Sequence, residues 1–208
     1  MTRTAVGPSA RERLLTAANE LFYEEGVHTV GIDRIIEQAG VAKASLYNTF
    51  GSKDELVRAY LQGRHATTAG RISRALAKHD TPRGRILAVF EAQGELFAEP
   101  GFNGCAFVSA SAESRPGDPA NQAAADYRTW VRGMFTDLAR ELGAAQPEFL
   151  AQQLHLLYDG AGLSARMDRD PAAAVASRAA AVALLDAAEA AASQLAPGPA
   201  AVAQAANA

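Results

Sequence analysis

Between Gly40 and Lys53 the chain carries side chains whose chemistry suits recognition better than catalysis. Taken as a helix, 41–50 turns Val41, Leu46 and Phe50 inward and leaves Lys43, Ala44, Ser45, Tyr47, Asn48 and Thr49 on an exposed arc and its edges. That arc is small, polar and nearly uncharged. Small residues let a helix approach base edges closely, the Asn48 amide can pair with adenine, and the Lys43 ammonium can reach a phosphate or a guanine. Lys53, in the first turn of the next helix, adds a cation beside free backbone N–H groups aimed at a phosphate.

Such an arc reads a groove only if other elements hold it there: a short helix, a turn residue tolerant of positive φ, and a second helix. Ile32, Ile35, Ile36 and Ala39 form a short apolar stripe that ends at Gly40, which supplies the turn. Upstream, Ser9 and Glu12 stand at capping-box spacing and open a helix with Leu14, Leu15, Ala18, Leu21 and Phe22 at helical intervals, stopping at Gly26. Ser52 and Glu55 repeat that spacing and open a longer helix with Leu56, Val57, Tyr60 and Leu61 inside. Four helices therefore fit into 9–79, with a helix-turn-helix at 32–51.

Charge argues the other way. The 208 residues carry a net charge of −3, and 1–62 holds seven Lys and Arg against eight Asp and Glu. Any affinity for a polyanion must come from a local patch. This balance is the best support for a competing reading, a helical interaction module that does not bind DNA.

The run Gly40-Val-Ala-Lys-Ala-Ser-Leu-Tyr-Asn-Thr-Phe-Gly-Ser-Lys-Asp-Glu-Leu56 resembles the signature of the TetR family of transcriptional regulators across the recognition helix and the start of the next helix. The resemblance implies Tyr47 and Lys53 as phosphate contacts, and Thr29 as a backbone contact before the first motif helix. It also implies Lys43, Ala44, Ser45, Asn48 and Thr49 as groove-facing residues. Gly31 and Ala42 depart from it, standing where the family usually has a capping hydroxyl; Ala at an N-cap costs about 1 kcal/mol against Ser. The implied function is a ligand-responsive repressor that binds a palindromic double-stranded operator as a homodimer, with a transcriptional activator as the alternative.

Beyond Pro82 aromatic residues become commoner, with Ile86, Leu87, Phe90 and Phe97 on one helical face. Pro100 and Gly101 interrupt this helix, 105–113 reads as a short helix, and Arg115 to Pro119 as a loop. Asp118 and Pro119 suit the N-cap and N1 of a helix reaching about Gly143, and helices over 147–167 and 171–195 follow, the last capped by Asp170. The fold class is all-α: a DNA-binding domain over 9–69, a larger helical ligand-binding and dimerisation domain over 82–195, and a Pro/Ala-rich disordered tail over 196–208.

The helix over 147–167 has two apolar stripes, one through Phe149, Leu156, Leu163 and Met167, the other through Leu150, Leu154, Leu157 and Ala161. A helix apolar on two faces needs burial on both. Leu150, Leu154, Leu157 and Ala161, with Val175, Ala179 and Val182 of the next helix, are the expected interface of a four-helix homodimer, against a wholly intramolecular core as the other reading. Phe90, Phe97, Phe107, Tyr127, Trp130, Met134, His155 and Tyr158 can line a pocket for a small apolar or aromatic effector, although each taken singly packs a core more often. His155 and Tyr158 are its polar handles.

No nucleophile–base arrangement or paired carboxylates point to an enzyme. His155 with Asp159 reads as a satisfied polar cluster or an acid–base pair. Lone Cys105, between Gly104 and Ala106 and near two phenylalanines, reads as a buried inert thiol rather than a redox sensor. The four histidines lack metal-ligand spacing, so neither metal nor cofactor is expected. The absence of a long apolar run or a leader-like start predicts a cytoplasmic protein off the membrane.

Overall fold

Local start and stop signals set most of the helix boundaries. A computed structural model of the chain describes residues 7–195, and among them nine helices and no strand. The expected disordered tail, 196–208, lies outside the described residues. In chain order the helices are α1 (Ala10–Glu25), α2 (Ile32–Ala39), α3 (Lys43–Phe50), α4 (Lys53–Leu76), α5 (Pro82–Phe97), α6 (Ala106–Glu113), α7 (Pro119–Glu141), α8 (Pro147–Asp168) and α9 (Ala172–Leu195). Both halves of the Ser9–Glu12 capping box are formed, and the Asp170 carboxylate accepts from Ala172 N–H at 2.8 Å at the head of α9. Ser52 Oγ accepts from Glu55 N–H at 3.1 Å, while the Glu55 carboxylate pairs with Arg58. Among the described residues no helix is long and apolar enough to cross a membrane.

The chain forms two units, whose boundaries fall within α4, in the loop between α5 and α6, and within α7. The first comprises the described residues up to Gly70 together with Asn103–Arg128. Its core is built on Leu14, Ala18, Ile35, Leu46, Leu56 and Leu61, and α1 packs on both α2 and α3. Sequence-distant polar contacts tie 103–128 into this unit. Tyr23 Oη donates to Gly104 O at 3.0 Å and accepts from Asn103 N–H at 2.8 Å, while Asn103 Nδ2 donates to Tyr23 O at 2.8 Å. Cys105 is half-buried rather than buried, because it is the N-cap of α6, at the end of a loop turned by Gly101 and Gly104.

The second unit comprises Arg71–Phe102 and the described residues from Thr129 onward, with α9 packed on α5 and α8. Phe90 and Phe135 stack with centroids 5.9 Å apart, and Tyr158 meets Phe135 edge-on at 6.2 Å. Gly94 lacks a side chain where one is excluded: a Cβ there would stand 3.0 Å from that of Ala174, so the missing carbon lets α5 and α9 approach. Arg83 reaches both Asp186 (2.6 Å) and Glu189 (2.8 Å) on α9, and Arg178 returns to Glu91 at 2.9 Å.

Candidate nucleic-acid interface

The turn between α2 and α3 depends on one glycine. Gly40 lies at φ 61°, ψ 44°, a left-handed conformation that disfavours any residue with a Cβ. Its N–H reaches Glu37 O at 3.1 Å and the Val41 N–H reaches Ile36 O at 3.1 Å, the paired bonds of a Schellman stop. Arg13 Nη1 donates to Gly40 O at 3.2 Å, fixing α1 on the turn. Fully buried Leu46 anchors α3, with Val41 and Phe50 half-buried and the Arg11 guanidinium 5.5 Å above the Phe50 ring.

This anchoring settles which side of α3 remains open. Lys43, Ala44, Asn48 and Thr49 are exposed, Tyr47 is 44% exposed, and Ser45 is half-buried. Thr49 Oγ1 donates to Ser45 O at 2.6 Å, so its proton is engaged and its lone pairs remain for a base-edge donor. Neither Gly31 nor Ala42 makes a side-chain cap bond, leaving the first turns of α2 and α3 with unsatisfied N–H groups of the kind that attract anions. Thr29 is exposed in the segment before α2. Lys53 is half-buried at the start of α4, bordering a cavity of about 170 Å³ with His28, Asp54 and Asp118.

Sequence reasoning missed three contacts here. The Lys43 ammonium sits 2.8 Å from Asp33 Oδ1 in the first turn of α2, and this hydrogen bond holds the lysine above its usual pKa range. Ten residues across a turn is not a helical neighbour spacing, so no periodicity announces it. Arg11 and Arg13 were missed for the same reason.

The expected effector residues divide between the units. Phe107 and Tyr127 belong to the first, stacked at 4.0 Å, with His65 edge-on to Tyr127 at 5.5 Å. A cavity of about 320 Å³ borders Phe107, Leu61, His65, Arg58 and Asp126. Phe90, Phe97, His155 and Tyr158 are buried in the second unit, while Trp130 and Met134 are half-buried there. His155 Nε2 lies 3.5 Å from Asp159 Oδ2. The second unit also contains buried Gln93, unremarked in the sequence. Its Nε2 donates to Tyr158 O at 2.8 Å, but its Oε1 has no hydrogen-bond partner. Among the described residues no cluster of His, Cys, Asp and Glu could hold a metal ion.

The stripe of α8 expected at a dimer interface lies largely inside this chain. Leu150, Leu154 and Ala161 are buried within this chain and Leu157 is half-buried, because this stripe faces the chain's own core. Phe149, Leu156, Leu163 and Met167 are exposed instead, as is Val175 at the start of α9, with Ala179 exposed and Val182 half-buried. A groove of about 520 Å³ runs beside Leu156, floored by small residues that include Gly160, Ala173, Ala176 and Ala180.

A helix-turn-helix whose second helix is anchored by one buried leucine and open along a small, polar face defines a DNA-binding protein. Comparison with known proteins narrows the class. Bacterial regulatory proteins of the tetR family match residues 14–60. A TetR-family transcriptional regulator from Streptomyces coelicolor superposes with a TM-score of 0.82 at 32% identity, over 86% of this chain and 96% of that one. The HTH-type transcriptional repressor NemR of Escherichia coli is 29% identical over 76% of this chain and 85% of its own. The HTH-type transcriptional activator FasR of Mycolicibacterium smegmatis is 40% identical, but that match spans only 39% of this chain and 37% of FasR. The chain belongs to the TetR family and is a DNA-binding transcriptional regulator, not an enzyme.

Proposed function

We propose that the chain acts as a homodimeric repressor that places two copies of α3 on a palindromic operator and releases it when a small apolar or aromatic effector binds. The observation that carries the dimer is the open apolar stripe of α8. Of the seven exposed large hydrophobic side chains among the described residues, five stand on α8 or the first turn of α9. Such a patch on a single chain calls for a partner surface. The adjacent groove of small residues accepts bulky side chains from a symmetry mate, making a self-complementary interface. Half-sites on the operator then lie near ~34 Å apart or a multiple of it.

In this reading 9–69 binds DNA and 82–195 regulates and dimerises. Thr29, Tyr47 and Lys53 touch the phosphate backbone, and Lys43, Ala44, Ser45, Asn48 and Thr49 face the groove. Buried His155, Tyr158 and the unpaired Gln93 Oε1 give an effector polar handles within an aromatic surround. Repression is favoured because the match to the repressor NemR covers most of both chains, whereas the match to the activator FasR is partial. The test is fluorescence anisotropy of the full chain with duplexes from the region upstream of its own gene, at two salt concentrations. Salt-sensitive binding to one duplex over others, weakened at least tenfold by Tyr47→Ala or Lys53→Ala, is expected; no binding at low salt overturns the proposal.

A further inference from the structure

Gln93 interrupts an apolar face of α5, with Phe90 three residues before it and Phe97 four after, all three buried. The residue is 6% exposed, and only half of its amide is satisfied. Nε2 donates to Tyr158 O of α8 at 2.8 Å, which fixes the amide's orientation, whereas Oε1 is buried without a hydrogen-bond partner. Phe97 extends these surroundings into an apolar cluster with Ala161 and Ala165 of α8 and Ala174 of α9. A carbonyl left unpaired in such a place is unfavourable, and an apolar residue of similar size escapes the penalty. Packing alone does not call for glutamine at 93.

α8 carries a second feature beside this amide that packing does not require. Gly162 is half-buried well inside the helix, and a Cβ there would stand 3.7 Å from Gln93 Nε2, an ordinary van der Waals separation. Alanine therefore fits, and inside a helix alanine is more favourable than glycine. Gly94 differs, since a Cβ there would press on Ala174. The missing side chain at 162 leaves α8 thin where it covers the amide.

We propose that Gln93 Oε1 is the recognition point for a small aromatic molecule bearing a hydroxyl or N–H donor, a phenol or an indole, admitted beside Gly162. A free acceptor selects a donor, and an ether or an ionised carboxylate, which only accepts, leaves it unpaired. Phe90 and Phe97 on either side of the amide match an aromatic ring. The inference names the class of the effector and so rests on the effector reading of 82–195; it requires neither the dimer nor a particular operator.

The test is isothermal titration calorimetry of the full chain with phenol and with anisole, the same ring with a methyl group in place of the hydroxyl proton. Phenol is expected to bind at least tenfold more tightly, the discrimination of one buried hydrogen bond. Gln93→Met keeps the length and removes the acceptor. It should bring the two ligands within twofold of each other and raise the unfolding midpoint of the ligand-free protein. Gly162→Leu should weaken phenol at least tenfold, and Gly162→Ala, which the spacing admits without disturbing α8, should weaken it in the same direction. Equal binding of phenol and anisole, no phenol binding at millimolar concentration, or unchanged phenol binding in both Gly162 variants would each overturn the proposal. So would a preference for phenol that survives Gln93→Met, or a lower midpoint in that variant, which would mean that a bound water already satisfies the amide. A second titration of phenol into the protein bound to the duplex it enriches from a random pool separates the two readings. Binding at Gln93 that leaves DNA affinity unchanged upholds the site and removes the effector reading, whereas equal release of DNA from wild type and Gln93→Met upholds an effector and overturns the site.

Discussion

Replacing Leu156 with aspartate probes the proposed dimer where its magnitude can be worked out. Leu156 is 63% exposed in the single chain, so roughly that share of its apolar surface remains to be covered by a partner. Full burial of a leucine side chain is worth about 1.5–3 kcal/mol, so the remainder is worth about 1–2 kcal/mol. A two-fold axis presents the residue twice, so the loss is about 2–4 kcal/mol of association free energy, and desolvation of the new carboxylate adds to it. At 1.4 kcal/mol per tenfold, the dimer dissociation constant rises by about 30- to 700-fold or more. Sedimentation equilibrium across a concentration series reads this directly. Leu154, one of the residues first expected at the interface, is fully buried in the chain and supplies the contrast. Leu154→Ala should cost about 2–5 kcal/mol of folding stability. A Leu156→Asp protein that associates as tightly as wild type would refute the assignment of the open stripe.

Ala42→Ser restores a cap to α3 and should add about 1 kcal/mol of stability, seen as a raised unfolding midpoint; an unchanged midpoint means that the first turn of α3 is already satisfied. The Glu148 carboxyl is held below its usual range, chiefly by its hydrogen bond from Arg140. A lowered folded-state pKa contributes stability above the unfolded value near ~4.3, and the contribution disappears as pH falls through the folded value. Glu148→Gln should therefore be the less stable protein at neutral pH, with the gap to wild type closing in chemical denaturation as pH falls through the lowered folded value, whereas a gap that does not shrink in acid contradicts the pairing. With Lys43 and Lys53 as the cations facing phosphate in each of two heads, the slope of log affinity against log salt on the operator should be roughly −3.5, and a slope beyond about −7 would mean that cations outside this set are engaged.

The helix-turn-helix was legible because its signals are local. Ser9 with Glu12, Gly40 after an apolar stripe and Leu46 inside an otherwise polar run each act within a few residues, and each does in the structure what its spacing implies. What the sequence hid depends on partners far along the chain. The two stripes of α8 are equally apolar, and which one turns inward is decided by α5 and α9 rather than by α8, so Leu154 and Leu156, two residues apart, could not be told apart. Cys105 was misjudged from its apolar neighbours, because the turns at Gly101 and Gly104 that bring it toward the surface arise from backbone conformation. Gln93 gave no signal either: one amide within an apolar helix becomes informative only when its carbonyl is found buried and unpaired.

The acidic balance of the N-terminal segment, at first an argument against DNA binding, bears on how regulation works. A head with few cations, one of them held by Asp33, has little sequence-independent affinity of its own. In the proposed dimer the second head binds at the effective concentration set by the first, a gain of about 10²–10⁴ that vanishes when the spacing of the two α3 helices no longer matches the half-sites. The weaker each head is alone, the larger the share of total affinity that depends on spacing. A strongly basic head would stay on DNA after the spacing changed; a weak one lets go. In the proposed effector-responsive dimer, low charge on the reading unit and an apolar contact through α8 act as complementary parts of one switch, and adding cations to the reading face should impair release by the effector more than it improves binding.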